Sequence, residues 1–236
     1  MRVIGSNTID RLAQACLIAG VMLTPLAAQA ADAANPDPWE GVNRVIFRFN
    51  DTIDTYALKP VAQGYQWVTP QFMQDGVHNF FQNIGDVGNF ANDVLQLKPQ
   101  AAGVDTARLL LNTTLGVAGL VDVGTHMGLQ RNDEDFGLTL GKWGVPSGPY
   151  VMIPLLGPST VRDGIAKYPD SFTQPYRYMD DMAFRNSLFA ASVVDTRAQL
   201  LSAEKLINGD KYVFIRNAYL QMREYKVKEG HVVDDF

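Results

Sequence analysis

The stretch DTARLLLNTTLGVAGLVDVG, residues 105–124, carries only three charges, Asp105, Arg108 and Asp122, and its apolar residues run nearly all the way round a helix. A helix that is apolar on every side is buried in a protein core or in lipid. Arg108, Asn112, Thr113 and Thr114 argue against a spanning helix, which leaves a helix seated partway into one leaflet as the alternative to a core. The question for the remaining chain is which of these solvents it expects.

Toward the N-terminus, Asp37-Pro38-Trp39-Glu40 reads as a helix cap, a first-turn proline and a glutamate placed to close a capping box. Trp39, Val42, Ile46, Phe49, Ile53 and Tyr56 follow at spacings of three and four, so one face is apolar, and Pro60 is expected to stop the helix. Trp39, Phe47 and Phe49 are read most simply as core. A second helix is expected over 71–97 through Met73, Val77, Phe80, Phe81, Ile84, Val87, Ala91 and Val94, ended by Pro99. Gly76, Gly85 and Gly88 within it are expected to permit close backbone approach or a bend.

Toward the C-terminus lies GKWGVPSGPYVMIPLLGPS, residues 141–159. Prolines 146, 149, 154 and 158 forbid regular helix and the glycines allow positive φ, so a defined irregular path is expected. Irregular backbone cannot face lipid, where each unpaired amide costs several kcal/mol, but it can line a cavity. Trp143 and Tyr150 flank the run, as aromatic side chains do where hydrocarbon meets water. Further on, Ser159 is expected to cap a helix at Val161, a helix is expected from about 181 through Phe184, Leu188, Ala191, Val194 and Ala198, and Asp210 should cap a last helix with Tyr212, Ile215, Tyr219 and Met222 inward. No sustained period-two pattern appears. The fold class read from these patterns is all-α.

Of the 236 residues 47% are hydrophobic and only 19% charged, below the roughly 25% usual for soluble domains. Residues 1–30 read as a secretory signal peptide, with Arg2 and Arg11, the apolar run CLIAGVMLTPLA and a cleavage site between Ala30 and Ala31. Residues 31–36 read as a flexible lead and 37–236 as one domain. The single cysteine, Cys16, precedes most of the apolar run, which argues against lipidation there and leaves a mature chain without disulfide or thiol chemistry. The mature chain carries 18 basic and 24 acidic residues, a net of −6, which argues against nucleic acid as a partner.

Signals for chemistry are weak. His78, His126 and His231 are isolated and no metal-binding motif joins them, so neither a metal nor another cofactor is expected. Gly157-Pro158-Ser159-Thr160-Val161 lacks the closing glycine and the preceding strand of a nucleophile elbow, and Pro158 would distort the turn. Asp133-Glu134-Asp135 reads as a solvated turn before it reads as a cation or acid–base site. Lys211, Arg216, Arg223, Lys226 and Lys228 give the last helix a basic face, either solvated or docked to an acidic partner.

The segments DPWEGVNRVIFRFND (37–51), Pro60-Val61-Ala62, LLLNTTLGVAGLVDVG (109–124), EDFGLTLGKWGVPSGPYVMIPLLGPSTVRD (134–163) and DTRAQLL (195–201) together resemble the MlaA family, also called VacJ lipoproteins. That resemblance implies a non-enzymatic outer-membrane protein of Gram-negative bacteria, a disc of amphipathic helices in the periplasmic leaflet around a central amphipathic channel. It implies phospholipid as cargo, a trimeric outer-membrane porin as partner, and a periplasmic lipid-carrier protein as recipient of phospholipids mislaid in the outer leaflet. Many members are lipidated on a cysteine at the signal cleavage site, where this chain has none, so helices in the leaflet would have to hold it. The expected channel wall comprises Leu115, Gly116, Val117, Gly119, Leu120 and Val123 with Trp143, Tyr150, Met152, Ile153 and Leu155. Arg108, Asp122, Arg162 and Asp163 are the candidates for polar contacts, each with an ion-pair or core reading beside it. The rival readings are a soluble periplasmic lipid-binding carrier and a periplasmic hydrolase.

Overall fold

A computed structural model describes residues 35–230; the expected signal peptide over 1–30 with its expected cleavage between Ala30 and Ala31, Cys16 and His231 lie outside the described residues. Residues 35–38 form part of a separate unit, in which the Asp37 N–H donates to Asn35 Oδ1 at 3.0 Å. From Trp39 onward the chain is a helical assembly with one hairpin.

Helix α1, Glu40–Ile53, begins with Trp39 as its cap residue and no side chain bonding its first turn. Glu40 does not close a capping box; its carboxylate takes Arg44 at 2.7 Å instead. Pro60 does not stop this helix. The backbone widens into a π-turn, Asp54–Leu58, in which the Lys59 N–H reaches back five residues to the Asp54 carbonyl. That wider pitch absorbs the missing proline donor, and α2, Lys59–Val68, continues with Pro60 in its first turn. Helix α3, Gln71–Leu95, matches the expected span. Pro99 both follows its end and opens α4, Pro99–Thr114.

The expected helix over 105–124 is therefore corrected at both ends. It starts six residues earlier, and after Thr114 the chain leaves the helix through a turn in which Val117, Ala118 and Gly119 have φ of 53°, 58° and 91°. Short helices α5, Val123–His126, and α6, Phe136–Lys142, follow, capped by Asp122 and Asp135. The helical fold class holds, and the expected irregular path is corrected in one place: within the Gly/Pro run, β1, Tyr150–Ile153, and β2, Gly157–Thr160, pair antiparallel, with Tyr150 opposite Thr160 and Ile153 opposite Gly157. Four-residue strands interrupted by proline carry too little alternation to be read from sequence. Thr160, not Ser159, caps α7, Val161–Asp170, by accepting from the Asp163 N–H. Two 3₁₀ turns lead to α8, Met182–Leu200, and a third, Ala203–Leu206, precedes α9, Lys211–Val227, which Asp210 caps as expected.

Packing is inverted relative to a protein that folds in water. Between Trp39 and Gly230 eight hydrophobic side chains are buried, against sixteen polar or charged ones. Large apolar side chains lie outside: Val42, Phe49 and Ile53 on α1, Tyr56 in the π-turn, Trp67 (88% exposed) on α2, Phe72 and Met73 on α3. Phe49 is thus not core, and Met222 on α9 points outward rather than inward. The interior stripe of α3 is Asn83, Asp86, Asn89, Asn92 and Asp93. Exposed apolar area on this scale marks a surface that meets something other than water. No helix among the described residues is long and apolar enough to cross a membrane.

Candidate functional site

The hairpin is held by two asparagines seven residues apart, one side of α1. Asn43 Nδ2 donates to the Tyr150 carbonyl at 3.1 Å, and the Met152 N–H donates to Asn43 Oδ1 at 2.9 Å. Two turns on, Asn50 Nδ2 donates to the Ile153 carbonyl at 2.9 Å, and Asn50 Oδ1 accepts from the Leu155 N–H at 2.8 Å. The side-chain amides thereby take the place of a third strand, satisfying the free edge of β1.

This attachment defines a cleft of about 400 Å³ between α1, the hairpin, the end of α8 and α9. Its walls are Phe47, Met152, Pro158, Leu200, Ile207 and Phe214 among others, and its rim is charged. The rim charges are spent on one another. Arg197 forks onto Asp54 at 2.6 and 2.8 Å and also reaches Glu204 at 2.7 Å; Lys59 meets Glu204 at 3.1 Å, and Lys211 meets Asp51 at 2.7 Å. The Arg197 hydrogen bond, with help from Lys59 and Lys211, lowers the Glu204 carboxyl to about 2. Hydrogen bonding to Asp54 in turn raises Arg197. Asp51, Asp54 and Glu204 at the rim are met by Arg197 and Lys211 there and by Lys59 from beside the cleft, so the rim charges are paired, and Asn50 spends its amide on the hairpin. Such a cleft suits hydrocarbon with a neutral or zwitterionic end.

The residues singled out from the sequence fall into two groups. In the first, Arg108 is 1% exposed and donates to Thr125 Oγ1 at 2.8 Å, to the Leu129 carbonyl at 2.6 Å and to Asp122 at 3.2 Å, with Asp86 3.5 Å from its Nε. Burial opposes ionisation of Asp122, but hydrogen bonds from Thr125 and Arg108 hold its carboxyl below the usual range. Asn112 ties the same carboxylate to the Gly124 N–H. This network fixes a turn whose Gly116 and Gly119 are buried while Leu115, Val117 and Leu120 project outward; Val123 is half-buried. A Cβ on Gly119 would lie 2.8 Å from Asn83 Nδ2, and one on Gly116 would strike the Val121 and Asn112 carbonyls.

In the second group, Tyr150 is wholly buried, with Tyr212 and Tyr219 rings edge-on at 6.2 and 6.4 Å, so it belongs to the core rather than to a water–hydrocarbon boundary. Trp143 is exposed, as are Leu155 and Leu156 at the hairpin tip. Arg162 bonds Asp163 at 2.9 Å and donates to the Val145 carbonyl; Asp163 also takes Tyr219 at 2.8 Å and Arg223 at 2.9 Å. Burial opposes ionisation of Asp163, but these partners, Arg223 foremost, hold its carboxyl below the usual range, while burial and the Asp163 charge push Tyr219 up. Of the expected wall residues only Met152 lines the cleft. Phe47 is read from sequence as core and Lys211 as part of a basic face, and nothing marks Asn50, Asp54, Arg197 or Glu204, since the cleft assembles from segments some 150 residues apart and no local motif announces it.

The remaining candidates are structural. Asp135 caps α6 and pairs with Arg223, Glu134 pairs with Lys98 and Asp133 with Arg131. The basic residues of α9 face acids on neighbouring elements or on their own helix: Arg216 with Glu40, Lys226 with Asp133, Lys228 with Glu224. His78 sits 2.8 Å from Asp195. β2 does run straight into α7, as in a nucleophile elbow, but Ser159 is wholly buried and donates to the Thr160 carbonyl. Among the described residues no acid or histidine cluster could hold a metal ion.

Comparison with known proteins adds to this geometry. A family model described as MlaA lipoprotein matches residues 35–226. The intermembrane phospholipid transport system lipoprotein MlaA of Escherichia coli is 34% identical over 204 residues, covering 83% of this chain and 80% of that protein. The Haemophilus influenzae protein of the same name is 29% identical, covering 84% and 82%. An uncharacterized Rickettsia bellii protein is 35% identical over 196 residues, covering 81% and 77%. A chain solved in work on the structural basis for maintenance of bacterial outer membrane lipid asymmetry matches with a TM-score of 0.71 at 34% identity, covering 81% of this chain and 98% of that one.

Proposed function

The chain belongs to the MlaA lipoprotein family, and from that premise we propose that it is an intermembrane phospholipid transport protein maintaining outer-membrane lipid asymmetry. It sits among the acyl chains of the periplasmic leaflet, takes up phospholipid mislaid in the outer leaflet and passes it to a periplasmic lipid-carrier protein, alongside a trimeric porin. No chemical step is involved. One observation carries the reading: the inverted packing, in which large apolar side chains face outward around a hydrogen-bonded polar interior. In water each such side chain forgoes roughly 1.5–3 kcal/mol of burial, whereas in a leaflet it meets its own kind.

The path we propose for the lipid follows the apolar cleft beside Met152, Phe47 and Phe214, whose self-paired rim lets a zwitterionic head pass without binding it tightly. The projecting Leu115, Val117 and Leu120 and the exposed Trp143 and Leu155 supply contacts with acyl chains. Arg108, Asp122, Arg162 and Asp163 keep the frame rigid rather than touching cargo.

The test is fractionation of the envelope together with measurement of outer-leaflet phospholipid. Wild type should appear with outer membranes and restore asymmetry to a strain lacking the gene. A Trp67→Glu, Phe72→Glu double variant should shift to the aqueous fraction and fail to restore it. A full-length protein that is a detergent-independent monomer, absent from outer membranes, would overturn the proposal.

A further inference from the structure

The seam between α3 and α4 holds ionisable groups that the proposed path does not use. Asp93 on α3 and Asp105 on α4 are 0% and 1% exposed. Asp93 Oδ2 accepts from Asn132 Nδ2 at 2.8 Å, but Asp93 Oδ1 and both oxygens of Asp105 have no donor among the described residues. Nor is a cation free to serve them. Lys98 is engaged by Glu134 and Glu229 at 2.9 and 3.1 Å, Arg131 by Asp86 and Asp133, and Arg108 by Asp122 and Asp86. The other charges packed around the seam, Asp86 on α3 and Asp133 and Glu134 before α6, add further negative potential.

Two carboxyl groups in hydrogen-bonding contact inside a protein cannot both be ionised: one keeps a proton, and that proton becomes the missing donor. The geometry points to Asp93 and Asp105 as a proton-binding site, holding one shared proton as an O–H···O bond that stitches α3 to α4 and releasing it in alkaline surroundings to loosen the seam. Burial first, then the charges of Asp93 and Asp86, push the Asp105 carboxyl up to about 8. Burial raises Asp93 as well, although Asn132 and the proton from Asp105 counter it. Arg108 stands one turn further along α4, where it anchors the Leu115–Val121 turn, so loosening the seam also loosens that turn.

The sign follows from linkage. A carboxyl whose folded value is raised binds its proton more tightly in the native state, so its contribution is full in acid, below the ordinary carboxylate value, and is lost as pH rises through about 8. The experiment uses the full-length protein in detergent. Melting temperature is followed from about pH 5 to 9, alongside the infrared carbonyl band of protonated carboxylic acids. Wild type should lose melting temperature across this range and show a protonated band at neutral pH that disappears above about 8. Asp105→Asn keeps a donor for Asp93, so its profile should be shallower by one proton per molecule and its band weaker. Asp93→Asn, which also leaves one carboxyl, should behave alike if Asp105→Asn fails to fold. A wild-type profile matching both variants, or no protonated band, overturns the assignment. Recovery of alkaline stability by sodium or magnesium ions would make the pair a cation site and equally overturn it.

Discussion

Replacing Asn43 with leucine keeps the volume of a side chain that is 3% exposed but removes the two hydrogen bonds by which Asn43 holds β1. The Tyr150 carbonyl and the Met152 N–H are then left unpaired beside a core of Tyr150, Met152 and Tyr212. Each buried unpaired group costs about 1–3 kcal/mol, so the variant should lose about 2–6 kcal/mol. That is a large part of a typical stability of about 5–15 kcal/mol. For a chain of this size it lowers the melting temperature by at least about 4 °C. Asn50→Leu is the internal control. It breaks the same two kinds of bond, but Leu155 is 69% exposed, so water can replace the amide and the loss should be about 1–3 kcal/mol. Thermal or urea unfolding of both variants in one detergent tests the ranking. Asn43→Leu melting like wild type, or Asn50→Leu proving the more damaging, would refute the claim that the amides act as a third strand.

The turn after α4 makes a second ranking. Gly116→Ala drives a Cβ into two backbone carbonyls and should abolish folded protein, while Gly119→Ala meets only the Asn83 side chain and should be recovered with reduced stability. Gly119→Val, strained at a φ of 91°, should leave excess outer-leaflet phospholipid in cells; normal lipid at normal protein level would count against a role for this turn. Arg197→Met removes the largest of the contacts that depress Glu204, leaving Lys59 and Lys211; the depressed carboxyl contributes stability present above the ordinary glutamate value and lost as pH falls toward about 2. Acid unfolding of this variant should therefore begin at higher pH than in wild type, as tyrosine fluorescence against pH would report.

What could be read from the sequence was the helical rhythm, not its polarity. Periodicity placed α3 and α9 well, and Asp210 announced its cap, because these signals are local. Pro60 misled, since a missing N–H reads as a stop unless a π-turn lets the chain skip it. The direction of each apolar face was the larger gap. Periodicity says that a face is greasy but not whether it points at neighbours or at lipid. The signal that could have decided it is the opposite stripe of α3: Asn83, Asp86, Asn89 and Asp93 recur every three or four residues, too polar for a solvated surface with so few lysines and too regular for chance. The cleft had no such signal, because its rim pairs residues as distant as Asp54 and Arg197.

The outward placement of the apolar side chains ties the shape of this protein to its address. The hydrogen-bonded interior holds the helices in register, but the free energy of the whole depends on what wets the exterior. Moving the molecule from bilayer to aqueous periplasm would change no internal contact and yet would drive the exposed faces of α1, α2 and α3 to seek each other or another molecule. Wherever water surrounds the molecule, these faces need a cover that the chain itself does not supply.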